Sequence, residues 1–128
     1  MYELSKENIQ KLSDLVNQLE QFSGEWNEEI PGTLYSSTNE LALKARRFLI
    51  RNKLFIYFNW PEWDEGKIFF RNNDPQKYEN LDKEFILKFL SAIARYDRFS
   101  NGAWGNLFES GTAIILYKKL LELYKNDM

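Results

Sequence analysis

The stretch KLFIYFNW, residues 53–60, decides the fold class. Its aromatic and β-branched residues favour strands by propensity. A strand needs a partner, and no second run of this kind is evident. An apolar helix of aromatic residues is the competing reading. We take the helix, which makes the chain all-α. The flanking segments agree. Residues 5–22 carry Ile9, Leu12, Leu15, Val16, Leu19 and Phe22 at three- and four-residue steps, which draws one apolar stripe down a helix. Ser5 is placed to cap its start, and Gly24 lies just past its end, where a left-handed cap costs little.

Residues 25–35, EWNEEIPGTLY, contain Pro31-Gly32 and read as a loop with room for one helical turn. Ser37-Thr38-Asn39-Glu40 is a capping-box pattern that opens a second helix. Its apolar side is Leu41, Ala45, Phe48 and Leu49, and its other side carries Lys44, Arg47 and Arg51. Pro61 suits the first turn of a short helix, or ends the segment. Residues 63–80 are the least regular, and a hairpin through KIFFR, residues 67–71, is open there. Asn80 or Asp82 caps the next helix, with Phe85, Phe89, Ile93 and Tyr96 on one face and Leu90 beside it. Asn101-Gly102 ends that helix. A last helix spans about 103–125, with Gly105 and Gly111 inside. An interior glycine costs about 1 kcal/mol. The two therefore mark close helix contact or a break. The expected fold is all-α: a compact single-domain bundle of about five helices over residues 1–128, with a small irregular or hairpin insert around 64–80.

Composition closes off several kinds of chemistry. The 128 residues are 44% hydrophobic and 28% charged, which excludes a disordered tail. A net charge of -2 lacks the broad positive field of a nucleic-acid coater. Cysteine and histidine are both absent. That removes disulfides, thiol nucleophiles, the usual zinc ligands and the His general base. No phosphate-loop glycine pattern occurs, and Ser110 lies in E-S-G rather than G-x-S-x-G. No apolar run reaches the roughly 20 residues of a membrane span. We expect a cytoplasmic protein with no cofactor and no membrane partner.

The densest cluster of unusual residues is Arg95, Asp97, Arg98, Trp104 and Glu109, which brackets the Asn101-Gly102 break. If the two helices pack antiparallel, Arg95 or Arg98 reaches Glu109, and an accessible notch forms beside Trp104. The R-x-D-R-F pattern at 95–99, the following Gly102 and the F-E-S-G at 108–111 resemble the C-terminal half of an uncharacterised bacterial family of short proteins, a domain of unknown function. The W-x-x-W of Trp60 and Trp63 is similar to that family's upstream aromatic region. The resemblance covers about 48–122 and is strongest at 95–120, and the amino-terminal helix adds nothing to it. Where members often carry an acid before the central glycine, this chain has Asn101. The resemblance implies a mostly helical fold and supplies no reaction.

Each candidate has a plainer reading. The Arg95, Asp97, Arg98 and Glu109 group is a ligand site or an ion-pair network joining two helices. Phe58, Trp60 and Trp63 stack a planar ligand or close the core. Lys44, Arg46, Arg47, Arg51 and Lys53 contact phosphates or form a solvated face. Glu28-Glu29 and Asp64-Glu65 are solvated acidic pairs or poor cation ligands.

Three functions stay open. The first is a non-catalytic binding or regulatory module whose Arg95, Asp97, Arg98, Trp104 and Glu109 bind an anionic small molecule or a protein partner. A phage or mobile-element setting would suit such a protein. The second is a carboxylate- and arginine-dependent enzyme with Asp97 or Glu109 as base. The third is a homodimer formed through the last helix. Nucleic acid is the least favoured partner.

Overall fold

Ser5 caps the first helix as its position predicts. Its hydroxyl accepts the Asn8 amide hydrogen at 3.2 Å, and α1 runs Lys6–Gln21. The computed structural model describes residues 2–127. Helix α1 ends in extended backbone at Phe22, and Gly24 is not among the glycines with positive φ. The expected left-handed cap is therefore absent.

Residues 25–38 depart from the loop reading. Strands β1 (Asn27–Glu29) and β2 (Ser36–Thr38) pair antiparallel, with Asn27 opposite Thr38. Gly32, at φ +80°, lies in the turn. These strands are three residues long and polar, so no alternation announces them. The hairpin lies here rather than around 64–80.

Helix α2 (Glu40–Arg51) starts at Asn39, whose side chain accepts the Leu41 amide hydrogen at 2.8 Å. Its end settles the deciding stretch. Lys53 sits in the left-handed region at φ 58°, the Leu54 amide donates to Leu49 O at 2.8 Å, and the Lys53 amide donates to Ile50 O at 3.2 Å. This paired closure stops the helix and turns Leu54 into the core. Residues 54–57 are then neither helix nor strand, contrary to the helical reading. They lie along a later helix, where the Ile56 amide donates to buried Ser91 Oγ at 2.9 Å. Aromatic residues suit this segment because it is packed on one side and has no ladder to satisfy.

A 3-10 turn at Trp60–Glu62 uses Pro61 at its start. Helix α3 (Asp64–Arg71) occupies the place where a hairpin was open. A second 3-10 turn, Pro75–Tyr78, is tied to α3 by Lys77, whose ammonium donates to Phe69 O at 2.9 Å. Burial lowers the Lys77 pKa. Asp82 caps α4 (Lys83–Tyr96) by accepting the Phe85 amide hydrogen at 2.8 Å. The expected last helix is two: α5 (Ala103–Glu109) and α6 (Thr112–Asn126), divided at Gly111 with φ +84°. Six α-helices are thus found among the described residues, where about five were expected.

The core lies between α1, α2, α4, α5 and α6. Leu12, Leu19, Leu49, Leu90, Leu116 and Leu120 are all fully buried. Helix α4 turns Ile86, Leu87, Leu90 and Ala94 inward, and only Phe89 of the predicted Phe85-Phe89-Ile93-Tyr96 face is buried. Two interior donors fix α2. Trp104 Nε1–H donates to Ala42 O at 2.7 Å, and the Tyr117 hydroxyl donates to Ala45 O at 2.7 Å. Alanine at both positions lets the rings approach the helix backbone. Burial pushes the Tyr117 phenol well above its usual range, partly opposed by Arg46. Burial, helped by the Asp127 carboxylate, raises Tyr124 to about 12. Its hydroxyl donates to Tyr2 O and anchors the start of the chain.

The left-handed conformation costs a residue with a Cβ about 1–2 kcal/mol. Lys53→Gly is therefore expected to stabilise the fold by about 1 kcal/mol, seen as a higher urea midpoint at unchanged slope. An unchanged or lower midpoint would show that Lys53 carries no strain.

Candidate functional site: an aromatic cleft beside the helix turn

The turn between α4 and α5 uses its charges as ties. Arg95 Nη1–H donates to Phe58 O at 2.8 Å, and its guanidinium lies 5.9 Å from the Tyr57 ring centroid. It thus holds the extended segment against the end of α4. Asp97 Oδ1 accepts the Trp104 amide hydrogen at 3.0 Å, which satisfies a free donor in the first turn of α5. Its Oδ2 lies 3.7 Å from Arg46 Nη1. Arg46, read with the basic patch, points inward to this pair. Trp104 is buried with its indole on α2. Glu109 Oε2 accepts the Trp26 amide hydrogen at 3.4 Å, on the side facing β1. Arg98 lies on the exposed turn.

No ion pair joins Arg95 or Arg98 to Glu109 among the described residues. Arg95, Asp97 and Glu109 are drawn instead to three different neighbours, Phe58, Trp104 and Trp26. Neither Asp97 nor Glu109 lines the cleft between α3, α4 and α5 or the groove between α1 and α2.

Asn101 has a definite task. Its Oδ1 accepts from the Ser36 amide at 2.8 Å and from the Ser36 hydroxyl at 3.1 Å. An acid at this position would accept the same two bonds. Asn27 completes the docking of the hairpin, since its Nδ2 donates to Gly102 O at 3.1 Å and to Asn106 Oδ1 at 2.8 Å. Gly105 allows this approach, because a Cβ there would lie 2.1 Å from Asn27 Oδ1. The close contact predicted at this glycine is real, although its partner is the hairpin.

Next to this turn a cleft of about 560 Å³ opens between α3, α4 and α5. Trp60, Trp63, Phe70, Phe89, Ile93 and Tyr96 form its apolar wall. Trp60 meets Tyr96 edge-on, with ring centroids 5.6 Å apart. Trp63 packs on Phe58 and Phe85 at 5.3 and 5.1 Å. Gly66 lets the Trp63 ring lie against α3, since a Cβ there would come within 2.3 Å of it. Lys67 and Arg71, one helical turn apart on α3, supply the only charges of the lining, while Ser100, Asn106 and Ser110 line the α5 side. Lys67 is 3.9 Å from Asp64, and no ion pair is found for Arg71 among the described residues. None of Arg95, Asp97, Arg98, Trp104 and Glu109 lines the cleft. The predicted indoles Trp60 and Trp63 do. The missed residues are Lys67, Phe70, Arg71 and Tyr96. The signal for the first three is the K-x-x-F-R of residues 67–71, which starts four residues after Trp63.

A second groove of about 580 Å³ runs between α1 and α2 past Lys11, Asp14, Lys44 and Arg51. Its charges have local neighbours: Lys11 is 3.6 Å from Glu7, and Lys44 donates to Gln18 at 3.0 Å. Arg47 pairs with Glu40. The basic patch thus has the form of a solvated, partly paired face. No group of acidic residues that would hold a metal is found among the described residues, and no helix there is long and apolar enough to cross a membrane.

The chain belongs to a family of unknown function, DUF6508, whose model matches residues 4–126. The match therefore includes α1, which the sequence resemblance had left out. No curated protein and no solved structure matches the chain significantly.

Asp97 caps a helix and holds Arg46, whereas Arg98 is exposed. Asp97→Ala is expected to lower stability by about 1–2 kcal/mol in urea denaturation. Arg98→Ala is expected to change it by less than about 0.5 kcal/mol. Equal effects would contradict the structural role of Asp97.

Proposed function

We propose that the protein is a non-catalytic binding module whose site is the α3–α4–α5 cleft. Its ligand has an apolar body of aromatic size with negative charge at one edge. The observation that carries this reading is the lining itself: an apolar wall of Trp60, Trp63, Phe70, Phe89, Ile93 and Tyr96, with Lys67 and Arg71 as its only charges. Such a wall gains from covering apolar surface, and the two cations favour an anion over a neutral analogue. The volume, about 560 Å³, lies within the range of small-ligand sites. The lining offers no carboxylate, and the chain has neither histidine nor cysteine. Holding suits these groups better than proton transfer or nucleophilic attack. A cytoplasmic setting is in keeping with the absence of cysteine.

An aromatic sulfonate, 8-anilinonaphthalene-1-sulfonate, matches this chemistry. It is expected to bind the folded protein at one site with a dissociation constant on the order of 10–100 μM, with a rise in probe fluorescence and a change in tryptophan emission. Lys67→Glu with Arg71→Glu should weaken it about three- to tenfold at unchanged fold, and added salt should narrow the difference. Equal binding to the double variant, or no saturable binding, would overturn the proposal.

A further inference from the structure

The β1–β2 hairpin ends in an apolar tip that no other part of the described residues covers. Leu34 is 102% exposed, Tyr35 64% and Ile30 41%. The turn does not need these side chains. Thr33 makes it, with its amide and hydroxyl donating to Ile30 O at 3.1 and 3.0 Å. At the base, Asn27 and Asn101 fasten the hairpin to α5 and the turn before it, so the tip is carried on a fixed support. An apolar projection held out in water marks a contact surface.

The charges around the tip select its partner. Glu25, Glu28 and Glu29 precede it, and residues 25–43 contain no Lys or Arg. Anionic lipid would repel such a tip. A matching receptor is an apolar pocket with cations at its rim, and the α3–α4–α5 cleft with Lys67 and Arg71 has this chemistry. We propose that the hairpin tip of one copy seats in the cleft of a second copy of this chain. The proposal rests on reading the cleft as a site for an apolar group with negative charge nearby. Tip and cleft are different surfaces, so the contact is head-to-tail. It either closes as a pair engaged twice or grows into a chain. A tip of this size covers less surface than a stable dimer needs, so the association is weak, with a constant on the order of 10–100 μM.

Sedimentation velocity of the full chain, from about 5 to about 500 μM, brackets that constant. The weight-average mass is expected to rise with concentration and to fall back when salt or the naphthalene sulfonate is added. Leu34→Asp removes the tip and Phe70→Asp blocks the cleft. Both side chains are exposed, Phe70 at 60%, so the fold should survive, which circular dichroism checks. Each variant alone should remain monomeric. A mixture of the two should associate again, because one supplies an intact tip and the other an intact cleft. A monomeric wild type overturns the proposal, as does a Leu34→Asp variant that still associates, or a mixture that does not. If the wild type stays monomeric yet binds the sulfonate, the pairing falls and the reading of the cleft stands. Should the sulfonate fail to bind as well, both fall.

Discussion

Two ring donors set on the backbone of α2 hold the structure in register. Trp104 from α5 and Tyr117 from α6 reach the carbonyls of Ala42 and Ala45, each at 2.7 Å and away from water. A buried donor or acceptor left without a partner costs about 1–3 kcal/mol. The rings and the alanines therefore have to meet, and larger side chains on that face of α2 would keep them apart. Once Trp104 is seated, the orientation of α5 is fixed. Its amide takes the Asp97 carboxylate, and Asp97 in turn holds Arg46 of α2. The same helix then presents Ala103, Asn106 and Leu107 to the cleft. A wall of the cleft thus depends on contacts that lie deep behind it.

The helices were legible where burial on one side imposed a period. The stripe from Ile9 to Leu19 is buried as read, and Ser5 and Asp82 cap the helices they precede, whereas α2 is capped by Asn39 and not through the capping box, whose Ser37 lies in β2. The hairpin left no such trace, since its short strands are polar and its stability comes from Asn27 and Asn101 docking on the α5 end. Residues 54–57 were ambiguous for a different reason. Their apolar residues serve packing alone, and the turn that excludes them from α2 is made by Lys53, a residue that does not advertise a left-handed conformation.

The site was harder to read than the fold. The charges of residues 95–109 serve the backbone: Arg95, Asp97 and Glu109 each bind a backbone group, and the half-buried Arg95 and Asp97 need such partners. The cleft arises from α3, eight residues long with a glycine inside, in the segment judged least regular. Trp60 and Trp63 pointed to it. Only the fold could show that Lys67 and Arg71 share a face with them, and that α4 turns Ile93 and Tyr96 toward the same space.

Hydrogen exchange at the four indole N–H groups, followed by nitrogen-15 NMR, separates the interior anchor from the cleft in one experiment. The Trp104 indole is expected to exchange only through global unfolding and to keep its chemical shift when the aromatic sulfonate is added. Trp60 and Trp63 should exchange far faster and shift with the probe. A Trp104 indole that exchanges as quickly as these two, or that moves with the probe while they do not, would contradict both the buried link to α2 and the location of the site.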